Sequence, residues 1–109
     1  LQIYRYEGGV LTPAWHLAGI SNHVAGSPEL GMSAVTDLNR DGRHELIIPA
    51  DGRQVLYQVW LSPEGLRPWR IARHADPIST AILAGDFDSD GRLELLYGLD
   101  DGRLVFCSF

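Results

Sequence analysis

The sequence predicts an all-β chain made of repeated, four-stranded antiparallel sheets. Three observations predict it. First, a segment recurs: Asp37-Leu-Asn-Arg-Asp-Gly-Arg-His-Glu-Leu-Ile-Ile matches Asp86-Phe-Asp-Ser-Asp-Gly-Arg-Leu-Glu-Leu-Leu-Tyr, 49 residues further on. After a one-residue gap, Asp51-Gly-Arg-Gln-Val-Leu answers Asp101-Gly-Arg-Leu-Val-Phe. Second, short apolar runs alternate with Gly, Pro, Asp and Asn, the punctuation of strands and turns. Third, no long segment has the helical period, and Gly or Pro interrupts every helical candidate.

The elements follow in order. Leu1–Tyr6 reads as a strand, Glu7-Gly8-Gly9 as a turn, and Val10–Ala18 as a returning strand. Ile20–Gly31 is the longest irregular stretch, and such loops on a rigid scaffold either carry binding or simply connect. Met32–Thr36 leads into an Asp-rich loop and Glu45–Ile48 leads out. The Asp51-Gly52 pair between apolar runs signals a hairpin and opens Gln54–Leu61. The Ser-Pro-Glu-Gly turn then gives Leu66–Arg73. A shorter connection, Ala75–Ser79, precedes Ser79–Gly85, the second Asp-rich loop, Glu94–Tyr97, the Asp101-Gly102 turn and Leu104–Phe109. In Gln54–Leu61, Val55, Tyr57, Val59 and Leu61 occupy one face, and Leu56 and Trp60 the other. A strand apolar on both faces belongs to a sheet stacked between neighbours.

Four antiparallel strands in about 50 residues form one blade of a β-propeller. The expected organisation is therefore a propeller segment. Residues 1–31 give a partial blade and a connecting loop. Residues 32–78 give a complete blade with the first Asp-rich loop, and 79–109 a partial blade with the second. Two blade-equivalents cannot close a ring, and their open edges call for other blades of a longer chain or neighbouring subunits. The start at Leu1, in mid-pattern, carries the same expectation.

Composition bounds the partners. The chain has 109 residues, of which 45% are hydrophobic, and a formal net charge of −5. That core fraction suits one small folded domain. The acidic balance argues against nucleic acid, which needs a Lys/Arg excess. No run approaches the length of a membrane span, and no signal peptide is visible. The single cysteine, Cys107, permits no intrachain disulfide and reads as a buried small hydrophobe.

The acidic excess concentrates in the two loops. A hard cation takes six to eight oxygen ligands, and a curled segment presents alternate residues to it. In the first loop these are Asp37, Asn39 and Asp41; in the second they are Asp86, Asp88 and Asp90. Gly42 and Gly91 permit the sharp turn that follows. Arg43 and Arg92 would then offer backbone carbonyls, and Glu45 and Glu94, at the ninth position, would close the shell. A helical EF-hand needs a carboxylate at the twelfth position. Ile48 and Tyr97 stand there, so the nine-residue loop is the fitting alternative, with Ca²⁺ as the cation. The competing reading is a metal-free turn held by Asx hydrogen bonds, against which clustered carboxylates repel one another. The second loop has four carboxylates and the first has three plus an amide, so tighter binding is expected at Asp86–Glu94.

These two loops, each followed by an apolar strand and an Asp-Gly turn, resemble FG-GAP/VCBS repeats of integrin α-like propellers. The resemblance implies that each loop joins the first two strands of a blade and holds structural Ca²⁺ on the odd-numbered residues named above. It also implies an extracellular, cell-surface or periplasmic protein-binding or assembly module, without catalytic residues. Two departures stand out. The fourth loop position, often Gly in such repeats, is Arg40 or Ser89, and the ninth, often Asp, is Glu.

Other residues leave alternatives open. Trp15 and Trp69 each follow a proline and either pack between blades or stack on a glycan, which would make a lectin-like propeller. Trp60 and Tyr57 read as core. His16, His23, His44 and His74 have no metal-ligand spacing and are expected to face solvent. No Gly-x-Ser-x-Gly context or phosphate loop appears. A non-catalytic part of a larger secreted enzyme remains the other functional class.

Overall fold

The computed structural model describes residues 1–109. All nine elements are β-strands: β1 (Gln2–Glu7), β2 (Val10–His16), β3 (Ala34–Thr36), β4 (Glu45–Pro49), β5 (Val55–Ser62), β6 (Gly65–Arg73), β7 (Leu83–Gly85), β8 (Glu94–Gly98) and β9 (Leu104–Ser108). They form three antiparallel sheets in chain order, β1-β2, β3-β4-β5-β6 and β7-β8-β9. The middle sheet is the expected four-stranded meander. No helix is long and apolar enough to cross a membrane.

The strands before the acidic loops are shorter than the sequence suggests. Only Ala34–Thr36 of Met32–Thr36, and Leu83–Gly85 of Ser79–Gly85, pair with a neighbour. Met32 and Ile82 are buried nonetheless, so these apolar residues serve the core rather than a ladder. In both copies the chain enters the sheet through an isolated bridge, Ile20 to Ala50 and Ile78 to Leu99. Matching amide bonds follow, from Ser21 N–H to the Pro49 carbonyl and from Ser79 N–H to the Gly98 carbonyl. This aligns Ile20-Ser21 with Ile78-Ser79. The extra length of the first connection therefore lies between Asn22 and Gly31.

Two cores explain the both-faces pattern of the middle sheet. Ile47 and Leu56 pack with Leu38, Ile78, Ile82, Leu95, Tyr97 and Leu99 toward the third sheet. Ile48 and Val59 pack with Ile20 toward the first, flanked by Leu1, Leu17, Tyr57 and Leu66. The inner side chains of β4 and β5 thus meet a neighbouring sheet whichever way they point, and only toward the end of β5 does one, Leu61, lie exposed.

The first sheet meets the second at Trp15, whose Cδ1 lies 3.5 Å from where a Gly65 Cβ would stand. Trp69 pairs with Gln58 across the β5–β6 ladder, and residues so paired share a face. That face looks toward the third sheet, which has no strand equivalent to β6. Trp69 is accordingly 62% exposed, while Trp15 is packed.

The two Asp-Gly turns differ. Gly102 takes the left-handed backbone in the second, with φ of 86°. In the first that role falls to Arg53, with φ of 58°, because the loop between the paired ends is one residue longer. Arg53 accepts the Ile78 amide on its carbonyl and donates from Nη1 to the Ile78 carbonyl at 3.2 Å. The turn of one sheet is thereby tied to the entry of the next.

One sequence expectation fails outright. His16, His23 and His44 are exposed, but His74 is half-buried, with Nε2 2.8 Å from the Tyr97 hydroxyl. The hydroxyl also lies 3.6 Å from Cys107 Sγ. Burial, helped by the nearby Arg103 guanidinium, lowers the His74 pKa below its ordinary 6.5. Burial and the neighbouring thiol raise that of Tyr97 well above its ordinary range. Periodicity could not reveal this link, because His74 follows the end of β6 while Tyr97 lies in β8 of the next sheet. Cys107 packs, half-buried, against the larger core.

Candidate metal centres

Each acidic loop joins the first two strands of its sheet, β3 to β4 and β7 to β8. The pairs Thr36–Glu45 and Gly85–Glu94 close the two ladders. The loop begins with the residue after the first strand, and its ninth residue is the first of the second strand. Pairing fixes both ends, so the intervening residues must curl.

The curl is held by side chains. In the first loop the Asp41 amide donates to Asp37 Oδ1 and Asn39 Oδ1, both at 3.0 Å. The Gly42 amide donates to Asp37 Oδ2 at 2.9 Å, and the Arg43 amide to Asp41 Oδ1 at 2.9 Å. The second loop repeats three of these four bonds. Asp90 N–H reaches Asp88 Oδ1 at 3.0 Å, Gly91 N–H reaches Asp86 Oδ2 at 3.0 Å, and Arg92 N–H reaches Asp90 Oδ1 at 2.7 Å. Four residues carry left-handed backbone: Arg40 and Ser89 at φ of 60° and 63°, Gly42 and Gly91 at 85° and 82°. The fourth loop position is thus a place where glycine would be unstrained, yet Arg and Ser occupy it.

The ninth residue has two tasks. Glu45 is fully buried and its Oε2 accepts the Leu38 amide at 3.0 Å. Glu94, 1% exposed, accepts the Phe87 amide at 2.9 Å in the same way. Sequence spacing identified these glutamates as shell-closing groups and missed their grip on the loop's second amide. The signal was a constant seven-residue separation, readable only once the curl is known.

Carboxylate oxygens of Asp37, Asp41 and Glu45 lie within 4.8 Å of one another, as do those of Asp86, Asp88, Asp90 and Glu94. Two oxygens on opposite sides of a calcium shell are about 4.6–5.2 Å apart, so both clusters have the right span. The Asx hydrogen bonds do not use up the donors, since each carboxylate oxygen offers two lone-pair sites. Glu45 Oε1 is the decisive atom: it is buried and has no hydrogen-bond partner. A buried carboxylate oxygen without a partner bears an uncompensated desolvation penalty, which a cation would remove. None of the four ion pairs involves a loop residue. The clustered charges lie well inside a Debye length of about 8 Å, so they repel one another with only backbone amides, and no paired cation, to offset it. Both loops can hold a divalent metal ion.

A family model described as an FG-GAP-like repeat matches residues 37–97, more than half of the chain, beginning at Asp37 of the first loop. The chain belongs to the FG-GAP-like repeat family. No curated protein and no solved structure matches it. The FG-GAP match runs from the first acidic loop, through β4, β5 and β6, to Tyr97 in β8. The matched span therefore holds both acidic loops, three strands of the second sheet (β4, β5 and β6), all of β7 and most of β8.

Proposed function

We propose that this chain is a calcium-binding segment of an extracellular, cell-surface or periplasmic propeller that serves protein binding or assembly, with calcium structural and no catalytic role. The observation that carries the calcium reading is the buried, unpartnered Oε1 of Glu45 beside two other carboxylates. Oxygen-only donors in a flexible loop suit Ca²⁺ better than a soft metal. Asp37, Asn39, Asp41, Glu45 and the Arg43 carbonyl would hold one ion; Asp86, Asp88, Asp90, Glu94 and the Arg92 carbonyl the other. Bound calcium would neutralise each cluster and fix the hairpin it spans.

The assembly reading rests on family membership and on exposed apolar side chains at both ends of the stack, Tyr6 and Leu11 on the first sheet, Leu104 and Phe106 on the third. Other blades or subunits would cover them. Isothermal calorimetry tests the metal reading: two calcium ions per chain are expected, and their loss should lower the melting temperature. A chain that binds no calcium, or melts identically in chelator, would overturn it.

A further inference from the structure

Between the two acidic loops the second and third sheets leave a cleft of about 390 Å³. Leu38, Leu93 and Phe109 form its apolar wall, and Arg40, Arg92 and Gln58 bring polar groups to it. That volume lies at the lower end of the range for small-molecule pockets.

The polar groups are unspent. Gln58 is only 7% exposed, faces the cleft from β5, and forms no side-chain hydrogen bond within the molecule. Its amide is therefore open to the cleft and free to bond a ligand there. Neither Arg40 nor Arg92 takes part in any ion pair. Arg40 stands on left-handed backbone, and its Nη2 lies 3.8 Å from where a Gly91 Cβ would be. One loop thus extends a guanidinium across to the other. The repeat does not require this arm, since the equivalent position in the second loop is Ser89.

We propose that this cleft binds an organic carboxylate with an apolar body. Two guanidiniums present planar donor forks suited to a carboxylate, the Gln58 amide adds a donor, and the apolar wall takes the body. The proposal rests on calcium occupancy of the two loops for its electrostatics. The loops carry seven clustered carboxylates and three guanidiniums, Arg40, Arg43 and Arg92, an excess of four negative charges. Two divalent cations would cancel that excess, so the anion should bind only to the calcium-loaded chain.

The test is a calorimetric titration of the whole chain with sodium benzoate, in calcium and in chelator, with calcium binding measured separately. Saturable binding is expected in calcium and at least a tenfold loss in chelator. Benzamide, the neutral analogue, should bind at least tenfold more weakly. Arg40→Gln and Gln58→Leu should each weaken benzoate about tenfold, the effect of losing a charge-assisted hydrogen bond or its neighbour. A blocked Glu-Phe dipeptide binding more tightly than benzoate would identify a protein's acidic side chain as the source; the reverse order would identify a free acid. Normal calcium binding with no benzoate binding, with equal benzamide binding, or with no effect of either substitution, overturns the cleft proposal alone. Absent calcium binding overturns the calcium reading by its own isotherm, and benzoate binding that persisted then would overturn the dependence of the anion on the cations.

Discussion

At the scale of single residues, Glu45 holds the most information. Its Oε2 fixes the Leu38 amide while its Oε1 has nothing to bind. Glu45→Gln keeps an acceptor for that amide and removes the buried charge. The expected outcome is at least tenfold weaker calcium binding at the first loop, with no loss of melting temperature in chelator. Calorimetry and thermal denaturation check the two halves. Gly42 has φ of 85° and open space around its missing Cβ, so Gly42→Ala isolates backbone strain. It should destabilise the metal-free chain by about 1–2 kcal/mol, measured by urea denaturation. His74 belongs to a different device. Its pKa is lowered in the fold from 6.5, so the folded state resists protonation. Its contribution is complete above 6.5 and is lost as pH falls from there toward the lower folded value. Comparing unfolding free energy across pH 7 to 5 should show a steeper fall in the native chain than in His74→Gln. Equal slopes would remove His74 from the account.

At the scale of elements, the two loops form a natural comparison. They share most of the hydrogen-bond pattern, the left-handed positions and the buried glutamate, but the third position is Asn39 in one and Asp88 in the other. Affinity rises with ligand charge when geometry is held constant. The second loop should therefore fill first, and Asn39→Asp should narrow the gap. Site-resolved titration by NMR decides this, and filling of the first loop ahead of the second would contradict it. The loops were legible in the sequence because every constraint on them is local: residue types at fixed spacing, plus a glycine. The turns were less so. Asp51-Gly52-Arg53 and Asp101-Gly102-Arg103 are the same tripeptide, yet the left-handed residue is Arg53 in one and Gly102 in the other. Turn length between paired strands decides that, and pairing is not a property of the tripeptide.

At the scale of the molecule, stability comes from sheets packed face to face. Leu56 is fully buried in the larger core between the second and third sheets. Leu56→Ala should cost about 2–5 kcal/mol, read as a lowered urea midpoint with or without calcium. Calcium should add separately, by about 2.7 kcal/mol per site when the free ion is a hundred times its dissociation constant. The shift of melting temperature with calcium concentration measures that term. Both-faces apolarity in Gln54–Leu61 forecast the stacking, since no sheet with a wet side would carry it. The placement of Trp69 was beyond the sequence. Trp15 and Trp69 read alike, but one meets Gly65 and the other faces a sheet without a fourth strand.

The sequence by itself determined the all-β class, the repeated unit and the two acidic loops, because strand patterning and loop chemistry act over a few residues. The tertiary structure alone decided which buried polar groups are paired and which are left without partners. Glu45 Oε1 has no partner, whereas His74 and Tyr97 find each other, and both states follow from burial between sheets. Burial is set by what packs across a gap, and residues from both sides of that gap are far apart in the chain.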